Sequence, residues 1–102
     1  MALIKHFILV HSVFKYAGRF VSVSSLAEAV ELTKLNRIKS EIIGHWLYCF
    51  TNHFIGVQLQ AIGFWYSLKH SAYVYTGRNK DGIADDETLD EIRARLGSYQ
   101  IN

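Results

Sequence analysis

Apolar and polar residues alternate along this chain with two periods, and the changes of period mark out its elements. In "DDETLDEIRARLG", Leu89, Ile92 and Leu96 recur at i, i+3 and i+7, the stripe of an amphipathic helix. Asp85 or Asp86 is placed to cap it and Gly97 to stop it. Acids crowd its first turn and Arg93 and Arg95 its last, as the helix dipole favours, and Glu91 and Arg95 are spaced to pair. A second helix is predicted from Leu26 to at least Leu35. Ser25 stands at its cap with Glu28 three residues on, and Asn36 is placed to close it. After it, "RIKSEII" alternates enough to be a strand. The opening stretch, "LIKHFILVHSVFKYAGRFVSVSS", is rich in Ile, Val and Phe and reads as a hairpin, about residues 3–15 and 19–23, turning at Ala17-Gly18.

The middle, "SEIIGHWLYCFTNHFIGVQLQAIGFWYSL", is dense in aromatic and β-branched residues, and its glycines are poor in a helix. Folding it at Thr51-Asn52 or Asn52-His53 puts Trp46, Tyr48, Phe50, Ile55, Val57 and Leu59 on one side. His45, Leu47, Cys49, Gly56, Gln58 and Gln60 then share the other side, the alternation of an antiparallel pair with one buried face. The pattern as a whole predicts a single α+β domain over residues 1–102. It consists of a mainly antiparallel sheet of four to six strands with two helices on one face. The alternative is a mostly helical protein with long helices over 26–43 and 45–70.

Composition narrows the functional classes. The chain is half hydrophobic and 14% aromatic, too apolar for disorder. Its single cysteine excludes an intrachain disulfide framework and fits a reducing, cytoplasmic setting. The basic, apolar start is interrupted by His6 and His11 and reads as a strand rather than a signal peptide. No charge occurs between Glu41 and Lys69, but His45, Asn52, His53, Gln58 and Gln60 lie within that span and argue against a membrane helix. His45, Cys49 and His53 have a metal-like spacing of four. On strands, however, His45 and Cys49 would be about 13 Å apart, too far to share an ion. In "GRNKDGIADDE", with Gly82 as the turn glycine, Gly77 and Thr88 would fill the outer positions of a calcium loop, and neither is an acid. No metal or cofactor is expected.

Residues 1–80 hold nine Lys/Arg and three acids, and residues 81–102 hold six acids and two Arg. A basic body of this kind suits an anionic partner. "LAEAVELTKLNRIKSEI" resembles a helix-turn-helix, with Glu31 where that family's turn glycine stands. The resemblance implies nucleic-acid binding by residues 26–42 through Lys34, Arg37 and Lys39, and Lys69, Arg78 and Lys80 could add to it. "LIKHFILV" resembles the first strand of dimeric α+β barrel proteins. That resemblance implies a small-ligand enzyme with His6 as acid/base beside Tyr66 or Tyr73. The leading expectation is different: a non-enzymatic protein-binding module of adaptor or inhibitor type, homodimeric, with another protein as partner. It rests on the thin core, the aromatic surplus and the lack of a catalytic constellation. Its interaction surface would comprise His45, Gln58, Gln60, Trp65, Tyr66, Tyr73 and Tyr75.

Overall fold

A computed structural model describes residues 9–10, 13–14, 23–77 and 86–102, and for the first two pairs only the backbone. Along the chain run strands β1 (Leu9–Val10) and β2 (Val13–Phe14), helix α1 (Leu26–Leu35), strands β3 (Ser40–Ile43) and β4 (Trp46–Cys49), and helix α2 (His53–Ala61). Strands β5 (Trp65–Ser67) and β6 (Ala72–Tyr75), helix α3 (Leu89–Leu96) and strand β7 (Ser98–Gln100) follow. Strands β3 to β7 form one antiparallel sheet in the order β5-β6-β4-β3-β7, so the fold is α+β, with a five-stranded sheet as the pattern predicts. Among the described residues it carries three helices rather than two.

Both faces of this sheet are buried. In β4, Leu47 and Cys49 point to one face and join Leu59, Ile62, Ala29 and Leu32 in a core under α1 and α2. Tyr48 points to the other, with Ile43, Ala72 and Val74, and packs beneath Ile92 of α3, with Trp46 and Phe50 alongside. The alternation read along residues 45–50 is therefore present. The expected one-sided burial and the placing of both helices on one face are not.

The largest correction lies at residues 53–61. They form α2 rather than the second arm of a hairpin, so Ile55, Val57 and Leu59 do not alternate opposite β4. Asn52, a turn residue in the sequence pattern, is the helix cap, and its side chain accepts from Ile55 N at 2.8 Å. Ile55, Leu59 and Ile62, at i, i+4 and i+7, form the buried stripe. Gly56 stands in this helix because α2 lies almost on Tyr73. A Cβ there would fall inside the 3.0 Å that real Cβ atoms essentially never breach, overlapping Cζ, Cε1 and Oη of that ring.

Helix α1 starts and ends where the sequence places it, with Ser25 Oγ accepting from Glu28 N at 3.2 Å. It runs unbroken through Glu31, where the helix-turn-helix resemblance places its turn, so no helix-turn-helix forms. Ile38 N donates to Thr33 O at 2.9 Å and Arg37 N to Lys34 O, with Arg37 left-handed at φ +54°. This is the Schellman closure, and it turns the chain out of the helix and into β3. Lys34 therefore belongs to α1, Arg37 and Lys39 lie in the connection, and the chain from Ser40 is strand β3, where the resemblance implies one second helix carrying all three basic residues. The β3–β4 hairpin turns through Gly44 and His45. Gly44 holds φ +65° at the first turn position and passes so near α3 that a Cβ would lie 2.8 Å from Leu96 Cδ1.

Helix α3 is capped by Thr88 rather than Asp85 or Asp86, in a full capping box with Glu91. Because Glu91 is engaged there, Arg95 pairs instead with Glu87, Nε to Oε2 at 2.9 Å. Arg93 reaches across to β3 and grips Glu41 with two 2.8 Å hydrogen bonds. At the amino end, β1 and β2 pair Leu9 with Phe14 and Val10 with Val13. The chain thus reverses within the stretch expected to be one strand over 3–15. The remainder of that predicted hairpin lies outside the described residues. No helix among the described residues is long and apolar enough to cross a membrane.

Candidate functional site

Where α2 leans on β5 and β6, an open cleft of about 500 Å³ is lined by Thr51, His53, Gln60, Tyr66, Ser71 and Tyr73. Each wall follows from local structure. His53 and Gln60 are seven residues apart on α2 and share a stripe with Val57, which is 46% exposed. Tyr66 and Tyr73 are directly opposite across β5 and β6, and their rings tilt together with centroids 4.8 Å apart. Tyr66 is half-exposed and Tyr73 buried, so one wall is a wet aromatic face backed by a fixed one. Ser71 holds φ +51° in the β5–β6 turn, an uncommon conformation for a residue other than glycine. Among the described residues, no carboxylate, lysine or arginine lines the cleft. A second hollow of about 560 Å³ touches Gln60, Gly63, Phe64, Trp65 and Gly77, so Gln60 is common to both.

Of the seven residues expected on an interaction surface, Gln60, Tyr66 and Tyr73 meet in the cleft and Trp65 lies in the adjoining hollow. The other three do not join them. His45 sits at the β3–β4 turn beside a separate pocket of about 170 Å³ under α3, with Trp46, Ile92 and Arg95. Gln58 is two residues from Gln60, which on a helix is the far side rather than the same face, and its Nε2 donates to Phe54 O. Tyr75 is core, its ring 5.4 Å from Phe64 and its hydroxyl donating to Val23 O. Thr51 and Ser71 were missed, and nothing in the sequence marks them. His53 stands out as a site residue in the sequence only by its metal-like spacing from His45 and Cys49.

The basic residues named for nucleic acid are exposed where described. Lys34 lies in the last turn of α1, and Arg37 and Lys39 lie between α1 and β3. Lys69 lies in the β5–β6 turn. The register pairs Ser40 with Cys49, Cys49 with Tyr73, and Ser67 with Ala72, so all four come from one end of the sheet. Arg78 and Lys80 lie outside the described residues, as does His6, the acid/base implied by the barrel resemblance.

Among the described residues, no group of three His, Cys, Asp or Glu could hold a metal. Cys49 is fully buried, and that burial pushes its thiol far above the ordinary range, away from nucleophilic use. His70 is also buried: Nδ1 lies 2.9 Å from Ser67 Oγ and Nε2 lies 2.8 Å from Glu87 O. Both ring nitrogens are thus engaged in tying the β5–β6 turn to the start of α3. No protein-family model, curated protein or solved structure matches the chain.

Proposed function

We propose that this chain is a small protein-binding module whose α2–β5 face takes an uncharged, extended segment of another protein, with one aromatic or aliphatic side chain seated against Tyr66. The observation that carries the reading is the exposure of large apolar residues on the two elements that build the cleft. Phe54 and Val57 on α2, Tyr66 on β5, and Leu68 just after it (81% exposed) all face solvent. Such residues around a pocket of neutral hydrogen-bonding groups give a dry anchor with a polar rim, the arrangement of interface hot spots. Hydroxyl and amide groups at the cleft can pair with a peptide backbone, and among the described residues no carboxylate, lysine or arginine lines it.

Panning a random peptide display library against the wild-type protein tests this, with titration of the selected peptides followed by Trp65 emission. Uncharged, aromatic-bearing peptides that lose at least tenfold affinity on Tyr66→Ala or Gln60→Ala support the reading. Peptides indifferent to both changes overturn it. A second reading, a nucleic-acid or other polyanionic partner, is favoured by Lys34, Arg37, Lys39 and Lys69 sharing one end of the sheet. That partner demands a steep fall of affinity with salt. About four neutralised phosphates give a log–log slope near −3 to −4, which Lys34→Ala with Arg37→Ala would reduce by about two.

A further inference from the structure

The end of the sheet where β3 begins and β4 finishes gathers positive charge without counter-charge, and exposed apolar side chains stand among it. Lys34, Arg37, Lys39 and Lys69 are all exposed, and none makes a side-chain hydrogen bond or ion pair among the described residues. The field of Lys39 reaches Glu41, but Arg93 already holds that carboxylate. Asp86 and Glu87, at the start of α3, lie on the other face of the sheet and act on Arg95. Glu31 lies a turn back along α1. Leu35 in the last turn of α1, Phe54 in the first turn of α2 and Leu68 in the β5–β6 turn stand at this same end, and each is exposed. From β5 to β3 is three strand spacings, about 14 Å at about 4.8 Å each, so these groups share one compact patch.

We infer that this end of the fold rests on an anionic lipid surface, with the four cations at the level of the headgroup phosphates and Leu35, Phe54 and Leu68 reaching the acyl boundary. Charge complementarity selects an anionic partner, because the cations here have no acids to pair with. The apolar residues among them select a bilayer over nucleic acid. A phosphodiester backbone takes the cations but offers an aliphatic side chain no apolar phase. A lipid interface takes both, since surface binding adds buried apolar area to attraction by anionic headgroups. Such association needs no spanning helix. It also stands apart from the α2–β5 reading. Phe54 and Leu68 border both surfaces, but Leu35 and the cations lie outside the cleft, and Gln60 and Tyr66 lie outside this patch. Either can fail alone.

Co-sedimentation of the full chain with vesicles tests this, comparing pure phosphatidylcholine with phosphatidylcholine carrying about one-third phosphatidylserine. Binding should require the anionic lipid and weaken with salt. Lys34→Ala with Arg37→Ala should weaken it about 30-fold, about fivefold for each cation. Leu68→Ala should weaken it about tenfold while leaving any binding to duplex DNA unchanged. Leu68→Cys accepts a polarity-sensitive fluorophore selectively, because Cys49 is buried, and its emission should shift to the blue on anionic vesicles. The substituted positions are exposed, so thermal midpoints should hold. Tyr66→Ala should bind vesicles as the wild type does. Failure to bind anionic vesicles, equal binding to neutral ones, or vesicle binding indifferent to Leu68→Ala each overturns the inference. Salt-sensitive binding to duplex DNA without binding to anionic vesicles would also overturn it and assign the four cations to nucleic acid.

Discussion

Gly56→Ala sets two well-defined effects against each other. In a helix interior, alanine should gain about 1 kcal/mol over glycine. Against that, the added methyl overlaps the end of the Tyr73 ring, and the ring has little freedom. It is buried, faces Tyr66 at 4.8 Å and lies on the strand that pairs with β4. Overpacking of this kind costs about 1–3 kcal/mol, and holding the ring off its rotamer adds about 0.5–1.5. The net expectation is a loss of about 1–3 kcal/mol. For a domain of this size that lowers the thermal midpoint by about 5–15 °C, read by far-ultraviolet circular dichroism. A double-mutant cycle isolates the cause. Tyr73→Leu removes the overlapping Cζ, Cε1 and Oη, so in that background Gly56→Ala should be neutral or stabilising, a coupling of about 2 kcal/mol. An unchanged or raised midpoint for Gly56→Ala alone, or simple additivity with Tyr73→Leu, would refute the close approach of α2 to β6.

Four other outcomes follow from single groups. The Arg93 guanidinium holds the Glu41 carboxyl below its ordinary value of 4.5, so the stabilisation is complete above that pH and is lost as pH falls through the lowered value. Arg93→Ala should remove this acid-limb dependence, measured as urea midpoints between pH 7 and pH 2, and cost about 1–3 kcal/mol at pH 7. Cys49 should react with a thiol reagent only at the rate of unfolding, and rapid labelling of the native protein would contradict its burial. Ser40 Oγ is buried and makes no hydrogen bond among the described residues, so Ser40→Ala should be neutral or slightly stabilising in chemical denaturation, and a loss above about 1 kcal/mol would reveal a hidden partner. Arg37→Gly relieves a left-handed residue and should raise stability by about 0.5–1 kcal/mol, with helix content unchanged.

The parts of the fold legible in the sequence were those where one local rule acted alone. Helix α1 announced itself by its cap and its closing Asn36, and the alternation of Trp46 to Phe50 by its period. Helix α2 was misread because three cues pointed the wrong way for reasons that lie elsewhere in the fold. Gly56 disfavours a helix in isolation, but here it makes room for Tyr73, seventeen residues on. The aromatic and β-branched density that suggested strands reflects packing against a sheet face. Asn52 serves equally as a turn residue and as a cap. The decisive signal was the i, i+4, i+7 stripe of Ile55, Leu59 and Ile62, outweighed by the apparent alternation of the same stretch. Strand β7 carried no apolar signal, since its three residues are exposed and join the sheet through backbone pairing and polar side-chain contacts such as Gln100 Nε2 to Ser40 O.

This misreading shaped the expected site as well. Treating residues 53–60 as a strand grouped Gln58 with Gln60 and His45, because a strand repeats every two residues. A helix instead joins His53 to Gln60 across two turns, and that brings His53 to the cleft with Tyr66 and Tyr73. The aromatic residues expected together on one surface are divided between surface and core, Trp65 and Tyr66 exposed and Tyr73 and Tyr75 buried. Tyr75 and Tyr73 alternate with Ala72 and Val74 on a strand buried on both faces, so a tyrosine there reaches water only where a helix leaves a gap. Gly56 sits at that gap. The same glycine that admits the Tyr73 ring beneath α2 fixes the back wall against which Tyr66 is held. A methyl at position 56 should therefore displace the cleft's aromatic wall along with the core. Peptides selected on the wild-type protein should lose affinity for Gly56→Ala even at temperatures where that variant remains folded. Retention of full affinity would separate the cleft from the proposed binding surface.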